Sequence, residues 1–157
     1  MDRYYGYYSE LGNNFNNYMP NTKHIIDMDI KRTHANIITP DIKNKMIRIL
    51  YNYSKRNMEI GYCQGMNYMC FNFLQLGFEE EETFWILVNI FENLIPKNYY
   101  VSMIPIIADT KMLKYILNIK YPLLVKHIQD LNVDIDVILI PWFIMAFTNL
   151  PNLKVIL

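Results

Sequence analysis

With 157 residues the chain has the length of about one domain, and its 52% hydrophobic and 15% aromatic content can build an extensive core. Fifteen basic and fifteen acidic side chains cancel, which excludes a global positive field for nucleic acid or an anionic membrane. The longest apolar run, residues 137–147, is interrupted by Pro141 and falls short of the about 20 residues that a membrane-spanning helix needs. Met1-Asp2-Arg3-Tyr4 leads into tyrosines and asparagines rather than a basic stretch and an apolar run, so no signal peptide is read and a soluble protein is expected. Cys63 and Cys70 are the only cysteines, too few for a disulfide framework and spaced unlike zinc ligands, and they read as reduced thiols of a cytosolic protein.

Taken in chain order, residues 1–22 form a Tyr- and Asn-rich segment. In it Tyr4, Tyr7, Tyr8 and Leu11 have helical spacing and predict a short helix, while 12–21 reads as a polar loop. Residues 23–40 show no sustained period, carry Asp27, Asp29, Lys31 and Arg32, and read as a long structured loop, a class in which functional segments concentrate. Thr39-Pro40-Asp41 signals a helix start, with Thr39 as N-cap and Pro40 in the first helical position. Ile42, Met46, Ile49, Leu50 and Tyr53 then line one face, and the helix is expected to end near Asn57. A second helix is expected to begin within 62–67 and run to Leu76, apolar on most sides and so central, with Gly77 as its cap. The acidic run Glu79-Glu80-Glu81-Glu82 suits the positive end of a third helix over 80–95, whose buried stripe would be Phe84, Leu87, Val88, Phe91, Leu94 and Ile95.

Residues 97–108 read as a loop or broken turn. Helices are then expected from Asp109 to about Asn118, from Pro122 with Leu123, Leu124, His127, Ile128 and Leu131 on one face, and over 137–148, with Pro141 near its first turn or kinking it. Nothing alternates with period two for long enough to argue a sheet, and the fold class expected is all-α.

Chemistry has few candidate carriers. His24, His34 and His127 lack metal-ligand spacing, and Asp27 and Asp29 beside His24 make too weak a set for a metal. No Gly-rich phosphate loop or Gly-x-Ser-x-Gly turn occurs, and basic residues are not interleaved with aromatics along one face. What remains is Arg32 and the stretch Gly61-Tyr62-Cys63-Gln64-Gly65-Met66-Asn67, in which two glycines flank one amide. The stretch reads either as a helix junction or as a turn that presents Gln64 outwards. An arginine is a planar cation able to stabilise charge spread over phosphate oxygens, and a glutamine amide can orient water; these are two groups that GTP hydrolysis needs. Asp29, three residues before Arg32, has the reach to hold its guanidinium, and a surface ion pair plus a capping amide is the alternative reading.

These residues resemble a known family. Ile26-Asp27-Met28-Asp29-Ile30-Lys31-Arg32-Thr33 resembles the I-x-x-D-x-x-R motif of the TBC domain, the Rab-type GTPase-activating domain, and Tyr62-Cys63-Gln64-Gly65-Met66-Asn67 its Y-x-Q-G-M-N motif. Glu82-Thr83-Phe84-Trp85-Ile86-Leu87, then Pro96 with Tyr99-Tyr100, Tyr121-Pro122-Leu123-Leu124 with His127-Ile128, and Trp142-Phe143 with Phe147 and Leu150-Pro151 follow in the family's order. His34 and Ala35 stand where the family usually has an aromatic and a proline, and Pro141 stands where a polar residue is commoner.

The resemblance implies an all-α TBC-like domain over 23–157 that binds a Rab-type small GTPase and activates its GTP hydrolysis in vesicle trafficking. Arg32 would be an arginine finger and Gln64 a glutamine finger that takes the place of the GTPase's own glutamine. Asp29 would fix the segment bearing Arg32, Tyr62 with Gly65 would support the turn bearing Gln64, and Trp142 would pack the core. The chain would then be no enzyme by itself but an activator working in trans. It would have no metal and no cofactor of its own, since GTP and Mg2+ would belong to the partner. It would bind no nucleic acid, and it would be cytoplasmic, at most recruited peripherally to endomembranes. By the same resemblance the chain reads as the N-terminal part of such a domain with the C-terminal helices truncated, ending on the bare aliphatics of 152–157. The alternative is a catalytically inactive TBC-like interaction module that binds a small GTPase or scaffold.

Overall fold

The computed structural model describes residues 6–13, 20–33, 38–96 and 98–148. The described residues hold helices and no strand: α1 (Tyr7–Asn13), α2 (Pro20–Arg32), α3 (Pro40–Arg56), α4 (Met66–Gln75), α5 (Glu80–Asn89) continued by a π-helical turn (Ile90–Leu94), α6 (Ile104–Lys120), α7 (Pro122–Asp130) and α8 (Asp136–Ile144). The all-α expectation therefore holds. The chain divides into two compact units, Met1–Lys97 and Asn98–Leu157. The division expected between residues 22 and 23 falls inside α2. Tyr4, His34, Ala35, the pair Leu150-Pro151 and the tail 152–157 lie outside the described residues.

The first unit is built round α3, which packs against α1, α2, α4 and α5. Its start follows the sequence signal: the Thr39 hydroxyl accepts from the Ile42 N–H at 3.3 Å, with Pro40 in the first turn. Met46, Ile49, Leu50 and Tyr53 are buried together, and each such side chain contributes about 1.5–3 kcal/mol of transfer free energy. Asn57 caps the other end, its N–H donating to the Tyr53 carbonyl. Helix α4 buries Met66, Met69, Cys70 and Phe71 and closes in a Schellman turn. There Gly77 N–H donates to Leu74 O (3.1 Å) and Phe78 N–H to Phe73 O (3.2 Å), with the two phenyl rings 6.0 Å apart. Helix α5 opens with the Glu82 carboxylate accepting from the Glu79 N–H at 2.9 Å, the reciprocal arrangement of a capping box.

Three expectations change in this unit. Residues 20–32 are helical rather than a loop: Ile26, Asp29, Ile30 and Thr33 repeat at spacings of three and four and are all buried against α3 and α4. Two of those four are polar, so an apolar period could not reveal the face. Salt bridges from Asp27 to Lys31 (2.7 Å) and to Lys43 on α3 (3.1 Å) support it, and they hold the Asp27 carboxyl below its usual range. Second, the third predicted helix is not uniformly α. A π turn over Ile90–Leu94 widens the spiral, so Phe91 stays buried while Leu94, expected in the stripe, is 69% exposed. Third, the polar loop expected over 12–21 is interrupted at both ends, by α1 and by α2.

Helix α1 is held by polar ties. Tyr8 Oη donates to Glu80 Oε1 at 2.6 Å, Arg48 Nε donates to the same oxygen at 2.7 Å and Arg48 Nη2 to Oε2. Burial alone would raise the Glu80 pKa, but the bonds from Arg48 and Tyr8 outweigh it and hold the carboxyl below the usual range. A depressed carboxyl stabilises the fold above its unfolded pKa, about 4.3, and that contribution disappears as pH falls through the lower folded value. Glu80→Gln is expected to cost about 1.5 kcal/mol at neutral pH, the size of a charge-assisted hydrogen bond. Thermal melts should show the gap from wild type closing in acid.

In the second unit α6 packs against α7 and α8. It begins at Ile104 with Pro105 in its first turn, earlier than the predicted start at Asp109, because proline is accommodated where no N–H partner is required. The expected apolar face of α7 is not buried: Leu123 is 82% exposed and Leu124 and Leu131 are exposed too, while Val125 is the buried residue. A helix face is buried only where another element covers it. Pro141 lies in the interior of α8, which ends before Ala146 and Phe147 at φ of 45° and 62°. Trp142, expected in the core, is half-buried, its ring 6.1 Å from that of Phe147. No helix among the described residues is long and apolar enough to cross a membrane.

Candidate functional site

The end of α2 and the turn before α4 lie against each other, and hydrogen bonds join them. Residues 63–66 form a β-turn closed by Met66 N–H donating to Cys63 O at 3.1 Å. Gln64 and Gly65 are its central residues. Gly65 has φ 110° and ψ −30°, a conformation near that required at the third position of a type II turn and strained for any residue with a Cβ. Gly65 also serves as N-cap of α4. The turn thus carries Gln64 exposed at its tip, while Gly65 and Met66 are buried beneath it. Gly65→Ala is expected to destabilise the protein by about 1–3 kcal/mol, the cost of a residue forced into this region, measurable as a lowered Tm.

The approach to the turn is anchored separately. Arg56, in the last turn of α3, donates Nε and Nη2 to the two oxygens of Glu92 at 3.1 and 3.0 Å. Its guanidinium lies 5.4 Å from the rings of both Tyr7 and Trp85. The π turn is the element that carries Glu92. Asn57 Oδ1 accepts from Ile60 N–H at 3.1 Å, and Gly61 N–H donates to Asn57 O at 2.8 Å, which brings the chain round to Tyr62.

A network of four bonds then links turn and helix, two crossing between them and two bracing them locally. Tyr62 Oη donates to Asp29 Oδ2 at 2.9 Å. Asn67, in the first turn of α4, donates through Nδ2 to Thr33 Oγ1 and accepts through Oδ1 from Gly65 N–H at 2.9 Å. Thr33 Oγ1 in turn donates to the Asp29 carbonyl at 2.8 Å, closing the last turn of α2. Burial, with the negative charge of Asp29, pushes the Tyr62 hydroxyl far above its ordinary pKa, so it remains a donor. The same two causes raise the Cys63 thiol, which disfavours the thiolate that nucleophilic chemistry needs. Cys70 is fully buried.

Arg32 is the last residue of α2 and is exposed, where its charge favourably meets the negative end of the helix. Its guanidinium takes part in no ion pair among the described residues. Asp29 is buried and gives its carboxylate to Tyr62 rather than to Arg32, so it is linked to the segment that bears Arg32 through the backbone and the turn. Of the predicted residues, the fold brings Asp29, Tyr62 and Gly65 into one network and puts Arg32 and Gln64 at its exposed edges. Thr33 and Asn67 complete the network, although sequence reasoning gave them no role. Asn67 alone carries a signal, a polar position in the apolar first turn of α4; Thr33 lies just past α2, on a face that apolar spacing does not reveal. No cluster of three or more His, Cys, Asp or Glu suited to a metal occurs among the described residues.

Comparison with known proteins places this geometry in context. The family model described as "Rab-GTPase-TBC domain" matches residues 2–157. The chain is 37% identical over 150 residues to TBC domain-containing protein C4G8.04 of Schizosaccharomyces pombe, covering 92% of this chain and 19% of that protein. It is 33% identical over 130 residues to TBC1 domain family member 2A of Homo sapiens, covering 79% of this chain and 14% of that protein. The crystal structure of the Chlamydomonas flagellar RabGAP TBC domain superposes with a TM-score of 0.74 at 26% identity, over 97% of this chain and 51% of that one. The chain therefore spans less than a fifth of those two relatives and about half of the solved domain.

Proposed function

Because the chain belongs to the Rab-GTPase-TBC domain family, we propose that it activates GTP hydrolysis by a Rab-type small GTPase and supplies Arg32 and Gln64 in trans to the partner's nucleotide. The single observation that carries this reading is the hydrogen-bonded junction of α2 with the turn before α4, which holds the roots of both side chains while leaving both exposed.

Each residue then has a task. Phosphoryl transfer needs charge neutralised on the equatorial oxygens and a water held in line. Arg32 brings a planar cation with several donors and meets the first need. The Gln64 amide can donate and accept at once and meets the second, in place of the partner's own glutamine. Asp29, Tyr62 and Gly65 position these two and touch no nucleotide. GTP and Mg2+ belong to the partner, and the chain contributes no cofactor. Electrostatic groups fixed before the reaction cost no reorganisation during it, which is why hydrogen bonds behind the two side chains matter.

The test is GTP hydrolysis by a panel of Rab-type GTPases in the presence of the protein. Acceleration for at least one member supports the reading. Binding to the GTP-loaded form with no acceleration anywhere in the panel would select a non-catalytic interaction module instead.

A further inference from the structure

We propose that Thr33 and Asn67 are positioning residues that set the spacing between Arg32 and Gln64, an inference that rests on the activator reading above. Two tertiary bonds cross from α2 to the turn, and they differ in what they hold. Tyr62 to Asp29 joins residues just outside the two proposed fingers. The Asn67 amide joins the residue that follows Arg32 to the residue that follows Gln64: Nδ2 donates to Thr33 Oγ1 and Oδ1 accepts from Gly65 N–H. The path from Arg32 to Gln64 therefore runs through Thr33, one planar amide and Gly65. All three are buried, so water does not compete for these bonds. A primary amide is suited to this place because it donates at one end and accepts at the other across a rigid plane. Thr33 in turn ties its hydroxyl back to the Asp29 carbonyl, so a shift of Asn67 is passed to the last turn of α2.

The consequence is a loss of rate rather than of partner affinity. Thr33→Val keeps the shape and removes the hydroxyl, whereas Thr33→Ser keeps the hydroxyl. Single-turnover GTP hydrolysis, with partner concentration varied, separates maximal rate from KM. For the full-length protein with a GTPase that it activates, Thr33→Val is expected to lower the maximal rate by about 10- to 100-fold, the cost of a misplacement near 1 Å. KM should stay within about twofold, and Thr33→Ser should restore the rate. Asn67→Ala gives a second route should Thr33→Val fold poorly, with circular dichroism and Tm recorded for each. The double variant should lose less than the product of the two single losses, because the Thr33–Asn67 bond is broken by either change alone.

A full rate with Thr33→Val or Asn67→Ala, while Arg32→Ala and Gln64→Ala are inactive, overturns this inference alone. So does a loss confined to KM or to Tm. Full rates with Arg32→Ala and Gln64→Ala overturn the assignment of those two residues, and no acceleration of any partner by the wild-type protein overturns the activator reading itself.

Discussion

Arg32→Ala is expected to lower the stimulated rate of GTP hydrolysis by roughly a thousandfold to a hundred-thousandfold, the range for an arginine supplied in trans. That corresponds to about 4–7 kcal/mol of transition-state stabilisation. The side chain is exposed and takes part in no ion pair among the described residues, so folding stability should change by no more than about 0.5 kcal/mol. Loss of rate without loss of Tm would distinguish a group that acts on the partner's nucleotide from one that holds this fold. Arg32→Lys should recover little, because an ammonium keeps the charge but not the planar fork. Single-turnover hydrolysis with a GTP-loaded partner is the measurement, and an undiminished rate for Arg32→Ala would falsify the assignment.

Gln64→Ala should cost about a hundredfold to a thousandfold, the scale for removing one preorganised hydrogen-bonding group at a reacting centre. The amide stands at the exposed tip of a turn whose conformation depends on Gly65, so its removal leaves the turn intact. A sharper form of the test uses a partner whose own catalytic glutamine has been replaced by leucine. Wild-type protein should still accelerate that partner and the Gln64→Ala variant should not. Equal acceleration by both would remove Gln64 from the mechanism.

The two side chains differ in how legible their setting is in the sequence. Gln64 sits between glycines, and the requirement for a positive φ after the turn tip is local, so Gly65 could be read from neighbouring residues alone. Arg32 could be singled out as a type of group, but its segment looked like a loop. The α2 face that is buried consists of Ile26 and Ile30 together with Asp29 and Thr33, while Ile25 and Met28 are exposed. Hydrophobic spacing therefore pointed nowhere, although the chain was helical.

The all-α class, the starts of α3 and α5, the glycine end of α4 and the residue types at the candidate site are legible in the sequence. Each of these depends on groups within a few positions of one another: a hydroxyl and an N–H three residues on, a glycine after a helix, a proline in a first turn. Packing between distant segments makes α2 a helix, turns Asp29 to Tyr62 rather than to Arg32, and lets Thr33 and Asn67 bridge the segments that bear Arg32 and Gln64. Those bonds join residues 33 and 34 positions apart. No local propensity encodes such a pairing. It exists because the apolar faces of α2, α3 and α4 bury one another, which brings their few polar side chains together out of water, where each must find a partner.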